Sequence, residues 1–304
     1  MNSKREYLAK RIGHVASRLI QRTERATLRG HTSKGLYIQT ESRWILFLSF
    51  GRAVGPLSIT MERDVMGLED VQPGATVEIK EGCLVFPAEG VVINARAAGV
   101  WNAPVAPDNM TSRESQLQRL DSLARRAVEA KRGLGLSVLL PCLLWPQAVV
   151  HSDISPVDTA ILEWVSTVRN GLVSGRVSQV LQGAQYLLGR GRGLTPSGDD
   201  FFLGIMLATS RWERDLMTTA KIERLRRDLV SLSYKKTTGL SGNLIECAAR
   251  GEADERLLAI VDSIFCGVPS VESGARPMLT WGSSSGVDTM VGMAVVLLAA
   301  VERV

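Results

Sequence analysis

The residues best equipped for chemistry lie in one run, Gly189-Arg190-Gly191-Arg192-Gly193-Leu194-Thr195-Pro196-Ser197-Gly198-Asp199-Asp200, which passes without a polar break into Phe201-Phe202-Leu203-Gly204. Closely spaced glycines let a chain turn tightly and bring its amides near a ligand. The apolar residues that follow predict a helix, whose first N–H groups and dipole favour an anion. Arg190 and Arg192 add charge-assisted donors for a phosphate or carboxylate. Gly193, Thr195, Ser197 and Gly198 complete a candidate cradle, and Asp199 and Asp200 are candidate catalytic carboxylates. A carboxylate beside a bound phosphate repels it unless something lies between. Two arrangements relieve this: Mg²⁺ held by Asp199 or Asp200, or an aspartate accepting from a substrate N–H₂. No other cofactor is assigned.

The frame Ser-Gly-x-Asp-x-x-x-Gly occurs twice, at Ser197–Gly204 and at Ser285–Gly292, offset by 88 residues (285 − 197 = 88). The second copy adds Ser285 and Gly286 as binding candidates and Asp288 as a catalytic one. Thr237, Thr238 and Ser241, in Thr237-Thr238-Gly239-Leu240-Ser241-Gly242, form a looser third version. Three hydroxyl-and-glycine turns, each at a helix start, can converge on one pocket. Capping is the competing explanation: Ser197 and Ser285 as N-caps, with Asp200 and Asp288 reaching back to the cap N–H. Glycine four residues further on would then serve close helix packing.

Other chemistries are poorly supported. The helix expected before Gly189 argues against a dinucleotide-binding turn. Gly282-Ser283-Ser284-Ser285-Gly286 fits a nucleophile-elbow pattern, but no histidine follows it, and the chain has only three, His14, His31 and His151. The four cysteines are scattered, with no CxxC and no Cys/His cluster, which argues against a structural zinc site and accords with reduced thiols in the cytoplasm. No apolar signal segment follows the basic start.

The positioning elements follow from periodicity. Net charge is +5, and much of the excess sits in the first thirty residues. There Leu8, Ile12, Val15 and Leu19 predict a basic amphipathic helix over 1–29, read as covering the body of the protein rather than meeting nucleic acid or membrane. Short β-branched runs predict strands at Gly35–Thr40, Trp44–Phe50, Leu57–Thr60, Thr76–Lys80, Cys83–Phe86 and Val91–Ala95. Glu81-Gly82 falls where a two-residue hairpin turn belongs. Helices are expected at 113–131, from Ser155-Pro156 to Gly171, and at 177–188, 212–235, 253–265 and 287–301. The fold class is therefore α+β: a β-rich region, barrel or sandwich, over 30–110, then a helical domain over 111–304 carrying the glycine-rich turns.

At the same residues the chain resembles a known family. Gly193-Leu-Thr-Pro-Ser-Gly-Asp-Asp-Phe-x-Leu-Gly204 is similar to the hallmark of the AllH-like proteins, long called a domain of unknown function. Thr237-Thr238…Ser241, Ser285-Gly-x-Asp288…Gly292 and Gly55-Pro56-Leu57-Ser58-Ile59 resemble further blocks, so the likeness spans most of residues 30–300. It implies a subunit of the oxamate carbamoyltransferase of allantoin and purine breakdown, an enzyme assembled from three different proteins. That enzyme exchanges a carbamoyl group between oxamate, as oxalurate, and phosphate, giving carbamoyl phosphate. The implied partners are a small anion of this class and other subunits. The alternative is a non-catalytic scaffold within such a complex.

Overall fold

A computed structural model describes residues 5–61, 68, 71–148, 155–212 and 216–303. The chain forms two compact units, Met1–Pro104 and Val105–Val304.

Among the described residues of the first unit, nine strands run β1 (Arg5–Gly13), β2 (Arg25–Thr32), β3 (Gly35–Thr40), β4 (Ile45–Ser49), β5 (Ser58–Met61), β6 (Thr76–Lys80), β7 (Cys83–Phe86), β8 (Val91–Asn94) and β9 (Gly99–Trp101). Eight of them close into a barrel in the order β5-β4-β3-β2-β6-β7-β8-β1, with β1 pairing back onto β5, and β9 adds to β1. Closure leaves those eight strands no unpaired edge. Alternate residues, among them Leu28, Ile38, Leu48, Ile59, Val77, Leu84 and Ile93, fill the interior. Glu81 and Gly82 have φ of 49° and 75°, the doubly positive pair that a type I′ turn requires, and register Lys80 against Cys83. Gly55 and Pro56, from the block that resembles the family, press against β1, where a Cβ on Gly13 would meet the Gly55 carbonyl oxygen at 2.1 Å. His31 is exposed on β2.

The long basic helix expected at the start is not formed. Residues 5–13 are a strand, 14–20 a short helix α1, and 25–32 another strand. Apolar spacing of four is compatible with either period. A bulge between Ala9 and Arg11 then shifts the inward face, so that Ala9 and Ile12 are both buried while Leu8 is exposed. Pairing with strands fifty to ninety residues away decides the conformation, and no local pattern reports it.

The second unit is helical: α2 (Arg113–Ala130), α3 (Leu139–Leu144), α4 (Pro156–Ser174), α5 (Val177–Leu187), α6 (Ser197–Arg211), α7 (Thr219–Lys236), α8 (Gly239–Ala248), α9 (Glu255–Phe265), α10 (Val271–Thr280) and α11 (Ser285–Glu302). Gly171 does not end α4. It lies inside the helix, where a Cβ would meet Val180 at 2.8 Å, and the helix closes instead on left-handed Gly175. Trp212 caps α6 rather than opening α7. Arg211 and Trp212 both bond buried Asp262, fastening the end of α6 to α9. α11 is long and apolar enough to cross a membrane, but it is the buried core helix of this unit.

The centre of the unit is the pair α6 and α11. A Cβ on Gly204 would meet the Thr289 carbonyl oxygen at 2.0 Å, and one on Gly292 the Phe201 carbonyl oxygen at 2.0 Å. The two contacts exchange under the repeat (292 − 204 = 88; 289 − 201 = 88), as a local two-fold relation demands. Contacts at the helix starts, such as Thr195 with Ser285, and these mid-helix contacts advance together along both helices. The helices therefore run parallel with their N-termini side by side, and the absence of side chains at two facing positions permits it.

Candidate functional site

Side-by-side helix starts bring the two copies of the repeated frame together. The hydroxyls of Thr195 and Ser285 share a hydrogen bond of 3.3 Å. Neither Ser197 nor Ser285 is an N-cap: Pro196 and Ser284 take those positions, and neither makes a side-chain capping bond. The carboxylates reach across instead. Asp200 is held by the hydroxyls of Thr195 (3.1 Å) and Ser285, and Asp288 by those of Ser284 (2.9 Å) and Ser197. Each aspartate thus draws on the serine of the other copy, which replaces the simple capping arrangement with a cross-helix one.

The third turn joins them through Asp199, which accepts from the Gly189 N–H at 2.7 Å and from the Thr237 and Ser241 hydroxyls. Thr238 caps α8 and donates to the Leu194 carbonyl at 3.0 Å. The three hydroxyl-and-glycine turns do converge. A fourth segment, missed in the sequence, joins as well: the Leu136 N–H donates to Asp288 at 2.6 Å. Gly135, at φ +54°, wraps the carboxylate so closely that a Cβ would lie 2.3 Å from its oxygen.

These three carboxylates are buried, with Asp199 and Asp200 2% exposed and Asp288 0%. Burial pushes all three above the usual aspartate range. Asp200 rises furthest in character: desolvation leads, the Ser285 hydroxyl opposes it, and the charges of Asp288 and Asp199 push it up again. Two parallel helix N-termini concentrate positive partial charge here, and buried acidic groups are well placed to answer it.

A cleft of about 450 Å³ opens in front of this layer. Arg190, Arg192, Ser197 and Gly198, expected from sequence, line it; so do Gly133–Leu136, Ile161, Leu187, Gly191, Ser283 and Ser284, which were not. Ser283 and Ser284 belong to the Gly-x-Ser-x-Gly run that fits a nucleophile-elbow pattern but has no histidine after it. Asp199, Asp200 and Asp288 lie beneath the lining. Gly193 stands at the loop tip, with φ +96° and open space around it.

The backbone cradle differs from the expected one. The Gly198 N–H is committed to the Arg190 carbonyl at 3.0 Å, and those of Asp199 and Asp200 to the Pro196 carbonyl. Gly286 repeats the arrangement, donating to the Trp281 carbonyl at 3.0 Å. A Cβ at Gly198 or Gly286 would sit 1.9 or 2.1 Å from a carbonyl oxygen of the preceding helix, so both glycines serve packing. The polar side chains that line the cleft are hydroxyls and guanidiniums, beside the apolar Leu134, Leu136, Ile161 and Leu187. Arg190 stacks on Tyr186, its Cζ 3.9 Å from the ring centroid, and Arg192 is exposed. Asp199 and Asp200 engage separate partners, and among the described residues no group of three His, Cys, Asp or Glu is placed to hold a metal. The one thiol on α8, Cys247, is pushed up to about 12 by burial and is not a nucleophile at neutral pH.

Residues 187–297, from the end of α5 to within α11, match the family of the oxamate carbamoyltransferase subunit AllH. This stretch contains all three convergent turns; the likeness read at Gly55–Ile59 lies outside it. No curated protein and no solved structure matches the chain.

Proposed function

We propose that this chain, carrying over residues 187–297 the segment that defines the AllH subunit of oxamate carbamoyltransferase, is one subunit of a carbamoyl-transferring enzyme. Its cleft seats a small anion: oxamate, phosphate or carbamoyl phosphate. One juxtaposition carries the reading. Arg190 and Arg192 border the same hollow as Ser197, Ser283 and Ser284, at the paired positive ends of α6 and α11. Its volume of about 450 Å³ lies within the span of small-molecule sites, about 300–1,000 Å³, and leaves room for a donor and an acceptor together.

Such a site suits carbamoyl transfer. A hydrogen phosphate oxygen attacks the carbamoyl carbon of oxalurate, the bond to the oxamate nitrogen breaks, and that nitrogen takes up the proton that the attacking phosphate gives up, so that oxamate leaves and carbamoyl phosphate remains. Fixed hydroxyl and guanidinium donors stabilise the oxyanion that develops between. Asp199, Asp200 and Asp288 hold the turns in place. No step is assigned to Mg²⁺, since the two adjacent aspartates face different partners. The free thiols Cys83, Cys142, Cys247 and Cys266 accord with a cytoplasmic setting.

One observation favours the scaffold alternative: Gly198, Gly204, Gly286 and Gly292 are all accounted for by backbone packing, without a ligand. Two measurements separate the readings. The first is calorimetric titration of the full chain with oxamate, phosphate and carbamoyl phosphate. The second is assay of carbamoyl phosphate formation from oxalurate and phosphate by the enzyme reconstituted with its co-purifying subunits. Anion binding, and a loss of turnover in Arg192→Ala, support a site. Absence of binding together with full turnover in the variant leaves a scaffold.

A further inference from the structure

We infer that Tyr186, backed by Trp164, is a positioning residue for anion binding, holding Arg190 at the rim of the cleft. The inference rests on the reading of that cleft as an anion site.

Arg190 is gripped twice by one residue. Its guanidinium carbon lies 3.9 Å from the centroid of the Tyr186 ring, and its Nε donates to the Tyr186 carbonyl at 2.6 Å. Tyr186 in turn stacks on Trp164 of α4, with centroids 4.8 Å apart and planes 21° from parallel. That stack requires α4 and α5 to lie close, and Gly183 permits it: a Cβ there would meet Val168 at 2.3 Å and the Trp164 carbonyl oxygen at 3.3 Å. Indole, phenol and guanidinium thus form a three-layer ladder from the body of the helical unit to the cleft mouth.

The chemistry of the ladder indicates its purpose. Among the described residues Arg190 makes no ion pair and donates only through Nε, so its terminal nitrogens remain for a carboxylate or phosphate. A long, charged side chain ordinarily loses rotamer freedom when it captures a ligand; one already stacked loses less. Arg192, two residues on, has no such tether among the described residues. The cleft therefore offers one guanidinium held by a ring and one exposed guanidinium, and the held one sets the orientation of a planar anion. The Tyr186 hydroxyl makes no hydrogen bond among the described residues, so the ring face alone does this work.

Titration calorimetry of the full chain with oxamate, and separately with inorganic phosphate, tests it on Tyr186→Leu, Tyr186→Phe, Arg190→Ala and the Tyr186→Leu/Arg190→Ala double variant. A guanidinium–aromatic contact of this kind is expected to change oxamate affinity by roughly three- to tenfold on removal. Tyr186→Leu should show that loss, and Tyr186→Phe should stay within about twofold of the wild type, because the stacking face is kept. The double variant should bind no more weakly than Arg190→Ala, since Tyr186 acts only through Arg190. Trp164→Leu, one layer further away, should lower affinity in the same direction and serves where Tyr186→Leu melts early. Unchanged affinity in Tyr186→Leu, a Phe variant as weak as the Leu one, or full additivity in the double variant overturns the inference while leaving the anion site standing. A wild-type chain that binds neither anion removes the site itself, and the inference with it.

Discussion

Replacing Gly204 by alanine tests the central helix contact most directly. The added methyl would lie 2.0 Å from the Thr289 carbonyl oxygen and 3.1 Å from the Met293 nitrogen, both backbone atoms that no rotamer can move. Ordinary contact begins near 3.4 Å, so α6 and α11 must part by about 1.4 Å (3.4 − 2.0), against the packing of two fully buried helix faces. Overpacking of this kind costs typically 1–3 kcal/mol, and backbone neighbours place it at the upper end, about 3 kcal/mol. Alanine's better helix propensity returns at most about 1 kcal/mol. The net loss is about 2 kcal/mol, which for a unit of this size lowers the melting temperature by roughly 4–8 °C. Differential scanning calorimetry of Gly204→Ala, Gly292→Ala and the double variant measures it. The local two-fold relation requires the single changes to be alike. One separation accommodates both methyls, so the double change should cost less than the sum. A Gly204→Ala protein as stable as the wild type would show that the helices do not meet this closely.

Asp200→Asn should alter the pH dependence of stability. A carboxyl whose folded pKa is raised holds its proton more tightly when folded, so its stabilising effect is full below the unfolded value near 3.8 and fades as pH rises through the folded one. The melting temperature of the variant relative to wild type should therefore climb as pH is raised from about 4, and a flat difference would show that Asp200 does not titrate in this way. Asp262→Ala strands the buried Arg211 and should cost about 3–5 kcal/mol in denaturant unfolding; a loss below 1 kcal/mol would mean that the pair is solvated. Arg192→Ala should weaken oxamate binding about tenfold at low salt, with an unchanged melting temperature, and equal affinity would remove Arg192 from the site.

Much of the architecture was legible because it is local. Val77 and Ile79 alternate with polar neighbours, and Glu81-Gly82 marks its own turn, so β6 and β7 could be placed from a dozen residues. The duplicated Ser-Gly-x-Asp frame announced two matching helix starts, and a constant offset hinted that they meet. What escaped depends on distant partners. The strand Arg5–Gly13 is chosen by β5, β8 and β9, and its apolar spacing suits a helix equally well. Leu136 owes its place to Asp288, 152 positions away. The cross-helix exchange between Ser197 and Asp288 and between Ser285 and Asp200 was hidden because the same residues at the same spacing also spell a capping box.

The turn between α5 and α6 is laced to its surroundings without help from a ligand. Asp199 clasps Gly189 near its start, the Arg190 carbonyl receives the Gly198 amide, and Thr238 reaches over to Leu194. A molecule entering the cleft finds a rigid vestibule, and little disorder has to be quenched on arrival. Capture should accordingly resemble a key meeting a finished lock, limited by encounter rather than by folding of the loop.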